Sequence, residues 1–85
     1  MNKVLEKIRE SITKPMQDMD IIVDNISYHQ EGTINFLTIE LDKVNGIDLD
    51  TIVEATNVIN PIIDELDLID DSYILDIISK EKGDN

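Results

Sequence analysis

Residues 2–18 carry apolar side chains at three- and four-residue steps: Val4, Leu5, Ile8, Ile12, Met16 and Met19 share one stripe, while Lys3, Glu6, Lys7, Arg9 and Glu10 face away. That period predicts an amphipathic helix. Pro15 falls in its last turn, where it is expected to bend the helix rather than abolish it. Over residues 21–28 the period shortens to two and then slips: Ile21 and Val23 occupy one parity, Ile26 and Tyr28 the other. One extra residue near Asp24 and Asn25 accounts for the slip, so the first strand should contain a β-bulge. The polar segment 29–32, HQEG, reads as a turn in which Gly32 is free to take a positive φ.

Residues 33–42 give the plainest strand. Leu37, Ile39 and Leu41 alternate with Thr38, Glu40 and Asp42, the pattern of a half-buried strand. After the turn KVNG, Asp48 is placed to cap a second helix over 49–66, with the stripe Leu49, Ile52, Val53, Thr56, Ile59, Ile63 and Leu66. Asn60-Pro61 predicts a kink or a break in it. Residues 67–72, DLIDDS, form an acidic loop, and 73–79 a third strand with Tyr73, Leu75 and Ile77 on one face. The polar segment 80–85 is expected to be a disordered tail.

The order α-β-β-α-β predicts a two-layer α+β domain over residues 1–79, with two helices packed on one face of a three-stranded mixed sheet. The first two strands form a hairpin, and the second helix crosses over to the third strand. If the strand parities hold, Ile34, Phe36, Ile74 and Ile78 lie on the sheet face away from the helices, and a bare apolar face of that kind usually meets something.

Length and charge narrow the reading. Eighty-five residues hold one domain, whose core is aliphatic because the chain has two Tyr, one Phe and no Trp. Cysteine is absent, which excludes disulfides and thiolate zinc sites and suits a reducing cytoplasm. No stretch approaches the ~20 apolar residues of a membrane span, and the charged N-terminus is not a signal peptide. Nineteen Asp and Glu oppose seven Lys and Arg, a formal charge of −12. A field of that sign repels phosphate backbones, so direct high-affinity binding of nucleic acid is not expected; a basic protein is the complementary partner. The acidic cluster Asp64, Glu65, Asp67, Asp70 and Asp71, where the second helix passes into the third strand, is the candidate docking surface.

The same residues form no catalytic or cofactor constellation. The single histidine, His29, sits in the expected turn with no second histidine, no cysteine and no Gly-x-Ser elbow around it. Neither Gly46 nor Asp48 sets an EF-hand register, because Lys43 or Val53 then falls where a ligand or glycine is required. The glycines are isolated, so no phosphate-cradling loop exists, and the Gly-x-x-Gly of a KH domain is missing. Asp71-Ser72-Tyr73 stands too late, at the mouth of a strand, to serve as the carrier site of an acyl carrier protein. No cofactor, metal or catalytic residue is expected.

Several segments, in order, resemble the N-terminal domain of RimP, the bacterial small-subunit ribosome maturation factor, over roughly residues 5–79. ITKPM at 12–16 is similar to the family's first helix and its proline-containing end, and IIVDNISY at 21–28 to its phase-shifted first strand. LTIELDKVNGIDLD matches its second strand and Gly-Ile turn, and YILDIIS its third strand. The family continues through Ser-Ser-Pro-Gly into an SH3-like barrel. Here the sequence reads Ile78-Ser79-Lys80-Glu81-Lys82-Gly83, so the resemblance covers the N-terminal domain without the C-terminal one. It implies a non-catalytic assembly cofactor that binds the immature small ribosomal subunit and helps a basic ribosomal protein join it. The alternative expectation is a self-associating module, a weak homodimer through Ile34, Phe36, Ile74 and Ile78.

Overall fold

The computed structural model describes residues 1–80. Helix α1 runs Asn2–Asp18 and buries Ile8, Ile12 and Met16, each one helical turn from the next. Pro15 is accommodated inside it, in the last turn, where its missing N–H leaves the Ser11 carbonyl without its helical donor and the helix continues only to Asp18. The amide of Ile21 returns to the carbonyl of Met16 at 2.8 Å, and Ile21 packs into the core before the first strand begins.

Strand β1 spans Ile22–Glu31 and pairs antiparallel with β2, Ile34–Asp42. The register shifts between Val23 and Asn25, as the phase slip required. Arg9 Nη1 donates to the carbonyl of Val23 at 3.0 Å, fastening α1 to the strand beside this irregularity. Of the expected turn at 29–32 only Gly32 belongs to the turn. His29, Gln30 and Glu31 continue β1 opposite Phe36, Asn35 and Ile34, and the chain reverses at Gly32 and Thr33. Pairing with β2 satisfies their backbone groups whatever their polarity, and Gly32, at φ +63°, supplies the left-handed residue of the tight turn.

Helix α2, Leu49–Leu66, starts at Asp48, whose carboxylate accepts the amide of Thr51 at 2.8 Å. It continues through Pro61 to Leu66 without a break. Its buried line is Ala55, Ile59 and Ile63, not the whole expected stripe: Leu49 is 76% and Val53 52% exposed. The reason is placement. Helix α2 packs on α1 and on the third strand, so only a narrow arc of it meets the core.

Strand β3, Ile74–Ser79, lies parallel to β2, which gives the sheet order β1-β2-β3 with β2 central. Leu37, Ile39 and Leu41 of β2 are completely buried, pressed under the helices with Ile26 from β1 and half-buried Leu75 and Ile77 from β3. Lys80, the first residue of the expected tail, adds its amide to the carbonyl of Leu41 at 2.7 Å, and its ammonium lies 3.2 Å from Asp24. That carboxylate raises the Lys80 pKa above its ordinary value. Residues 81–85 of the tail lie outside the described residues.

Candidate functional site

Two surfaces meet at one end of the domain. The first is the passage from α2 into β3. Asp64, Glu65, Asp67, Asp70 and Asp71 are all exposed there. Asp64 and Asp71 line one depression of about 460 Å³ together with Asn60, Ser72, Tyr73 and Leu75. Burial pushes the Tyr73 hydroxyl above its ordinary pKa, and the charges of Asp64 and Asp67 push it the same way. Three of the five predicted carboxylates thus gather around Tyr73. Glu65 follows Asp64 by one residue, so the helix turns it in another direction, and Asp70 is exposed in the loop.

The local backbone explains the gathering. Asp67 ends α2 in the left-handed conformation, φ 49° and ψ 47°, with its amide on the carbonyl of Ile63 at 3.1 Å. A left-handed cap swings the chain sharply away from the helix axis and brings Asp71 back toward Asp64. Glycine would take this conformation at less cost. The last turn of α2 contains no basic residue, so carboxylates alone face the negative end of the helix.

The second surface is the helix-free face of the sheet. Cross-strand partners share a face, so His29, Phe36 and Ile74 form one row, Ser27, Thr38 and Asp76 the next, and Asn25, Glu40 and Ile78 a third. Ile34 is 46%, Ile74 48% and Ile78 38% exposed. Phe36 is half-buried, its ring stacked on His29 with centroids 5.5 Å apart. All four apolar residues singled out in the sequence therefore fall on this face. His29, read as a turn residue, belongs here too. Once the hairpin register is known, its parity with Ile34 and Phe36 across the strand pair identifies it.

The surfaces are continuous. A second depression of about 270 Å³, lined by Thr33, Ile34, Asn35, Ser72, Tyr73 and Ile74, shares Ser72 and Tyr73 with the acidic one. Asn35 fixes the junction by donating from Nδ2 to the carbonyl of Ser72 at 3.1 Å. The charge pattern around it was legible in the sequence as a segregation rather than a cluster. Residues 44–79 hold nine Asp and Glu and not one Lys or Arg. The cations Lys3, Lys7, Arg9 and Lys14 sit on α1, and Lys43 and Lys80 follow β2 and β3 at the opposite end of those parallel strands.

Among the described residues no group of three or more His, Asp or Glu is arranged to hold a metal ion, and no helix is long and apolar enough to cross a membrane. What the geometry defines is a two-layer α-β-β-α-β domain bearing an anionic rim beside an apolar sheet face. The family model of the RimP N-terminal domain matches residues 11–80, and the chain belongs to that family. The family is that of a non-catalytic ribosome maturation factor linked to the small ribosomal subunit.

Proposed function

We propose that this domain serves small-subunit maturation by docking a basic ribosomal protein on the anionic rim formed by Asp64, Asp67 and Asp71, with Glu65 and Asp70 at its margin. The observation that carries the reading is the segregation of charge: nine carboxylates and no cation from residue 44 to 79. Ribosomal proteins enter the particle as strongly cationic chains, and a concentrated field of opposite sign speeds their encounter and disfavours bare RNA. Stability offers no competing explanation for Asp67. A carboxylate at the negative end of a helix, in the left-handed conformation, is unfavourable twice over at Asp67. A ribosome-associated family gives the work a cytoplasmic setting. The domain acts by binding and performs no chemistry.

The test replaces Asp70 and Asp71 with Lys and measures binding to purified small-subunit proteins across a range of salt. Each exchange changes the rim by about two charges, so affinity should fall and the dependence on salt should flatten. An unchanged affinity and salt slope would remove the rim from the account. A second reading, self-association through Ile34, Phe36, Ile74 and Ile78, is favoured by the exposure of three of them. Sedimentation at high micromolar concentration decides it, because a monomer there excludes a dimer of useful strength.

A further inference from the structure

Strand β3 is an edge strand whose outer side pairs with nothing among the described residues. The amide of Lys80 binds the carbonyl of Leu41, so by the alternation of a parallel ladder the backbone groups of Ile74, Asp76 and Ile78 point toward β2. Those of Leu75, Ile77 and Ser79 point outward. The side chains beside them are apolar on both faces, Ile74 and Ile78 on the open one and half-buried Leu75 and Ile77 under the helices. Edges are ordinarily blunted by lysine, proline or a bulge. The other edge, β1, has its irregularity at Asp24 and the Arg9 guanidinium on its Val23 carbonyl. Within β3 the only polar side chain before Ser79 is Asp76.

We propose that this free edge accepts an extended, lysine- or arginine-bearing segment of a partner protein as a fourth strand, with a basic side chain opposite Asp76 and apolar ones beside Ile74 and Ile78. The inference rests on the reading of the domain as a binder of basic protein and names the mode of that binding. Charge selects the occupant. Asp76 lies on the strand itself, and Asp64, Asp67 and Asp71 stand where it begins. Lys80 at the far end is already engaged with Asp24. A second copy fits poorly, because two β3 strands paired antiparallel about their middle bring both Asp76 carboxylates onto one face between chains of charge −12. Backbone pairing supplies affinity and the alternate side chains supply selectivity, the division of labour of strand addition.

The experiment titrates the full chain with an acetylated, amidated peptide whose alternate positions read valine, lysine, valine, with threonine at the positions between, so that lysine can lie opposite Asp76 and valines beside Ile74 and Ile78. Three companions serve as controls: the peptide N-methylated at alternate amides, its glutamate counterpart, and the Asp76→Lys protein. Binding is followed by anisotropy, and hydrogen exchange is read at single amides by NMR. The lysine peptide should slow exchange at Leu75, Ile77 and Ser79, and N-methylation should weaken it by about tenfold or more, because two or more backbone bonds are lost. Asp76→Lys should weaken it by roughly two- to fivefold. Equal binding of the N-methylated peptide overturns edge pairing and leaves the basic-partner reading standing. Equal binding of the glutamate peptide overturns both. Slowed exchange at the same three amides with rising protein concentration and no peptide assigns the edge to a second copy and overturns the proposal.

Discussion

Replacing Ile39 and Ile34 by alanine, one at a time, asks whether the period-two pattern of β2 really divides a core from an interaction surface. The two residues stand on one strand, yet Ile39 is completely buried between Ile26 and Ile77, and Ile34 is 46% exposed. Each substitution removes three carbons. At Ile39 their transfer alone is worth roughly 2.4 kcal/mol at ~0.8 kcal/mol per buried carbon. The cavity left in a central strand, which cannot collapse, raises the cost to about 3–4 kcal/mol. At Ile34 about half of the transfer term applies and no cavity forms, so the cost is about 1 kcal/mol. For a domain of this length, whose whole stability is on the order of 4–13 kcal/mol, the first change approaches unfolding and the second does not. Urea denaturation followed by far-ultraviolet circular dichroism measures both. Ile39→Ala should shift the midpoint about three times as far as Ile34→Ala, with the same slope. Equal shifts would refute the division of the sheet into a covered and an open face.

The helix ends supply further tests. The Asp48 carboxylate is held below the ordinary value of 3.8 chiefly by its hydrogen bonds from Thr51. A depressed folded pKa contributes stability that is fully present above the ordinary value and is lost as pH falls through the lower, folded one. Asp48→Asn should therefore keep the cap at neutral pH and flatten the loss of stability below about pH 4, whereas Asp48→Ala should lower the urea midpoint at pH 7. At the other end of α2, Asp67→Asn removes a charge from the negative pole while keeping a side chain that tolerates the left-handed conformation. It should raise stability by about 0.3–1 kcal/mol in a thermal melt and, in the same protein, weaken binding to basic ribosomal proteins. A variant more stable and equally tight in binding would show that Asp67 serves neither end.

Periodicity carried most of the architecture. The limits of α1 and α2 followed from their apolar stripes and from Asp48, and the phase slip of β1 was visible because Ile26 and Tyr28 changed parity. What the pattern missed was set by partners far along the chain. His29, Gln30 and Glu31 have the composition of a turn, and only pairing with Phe36, Asn35 and Ile34 makes them strand. The arc of α2 is narrower than its apolar stripe because nothing local reveals that the helix lies against α1 and β3, leaving Leu49 and Val53 in solvent. The acidic rim was legible as composition. That Asp64, Asp67 and Asp71 converge on Tyr73 depended on the left-handed turn at Asp67, which an aspartate does not announce as a glycine would.

Competition at physiological ionic strength bears most directly on the claim that recognition runs through attraction to positively charged protein. The domain, labelled and at low concentration, is offered small-subunit ribosomal proteins and naked small-subunit RNA in separate chambers of one equilibrium dialysis cell. It should accumulate with the proteins, and the preference should shrink as salt rises toward the molar range, where the screening length falls to about 3 Å. Accumulation with the RNA instead would contradict the account at its root.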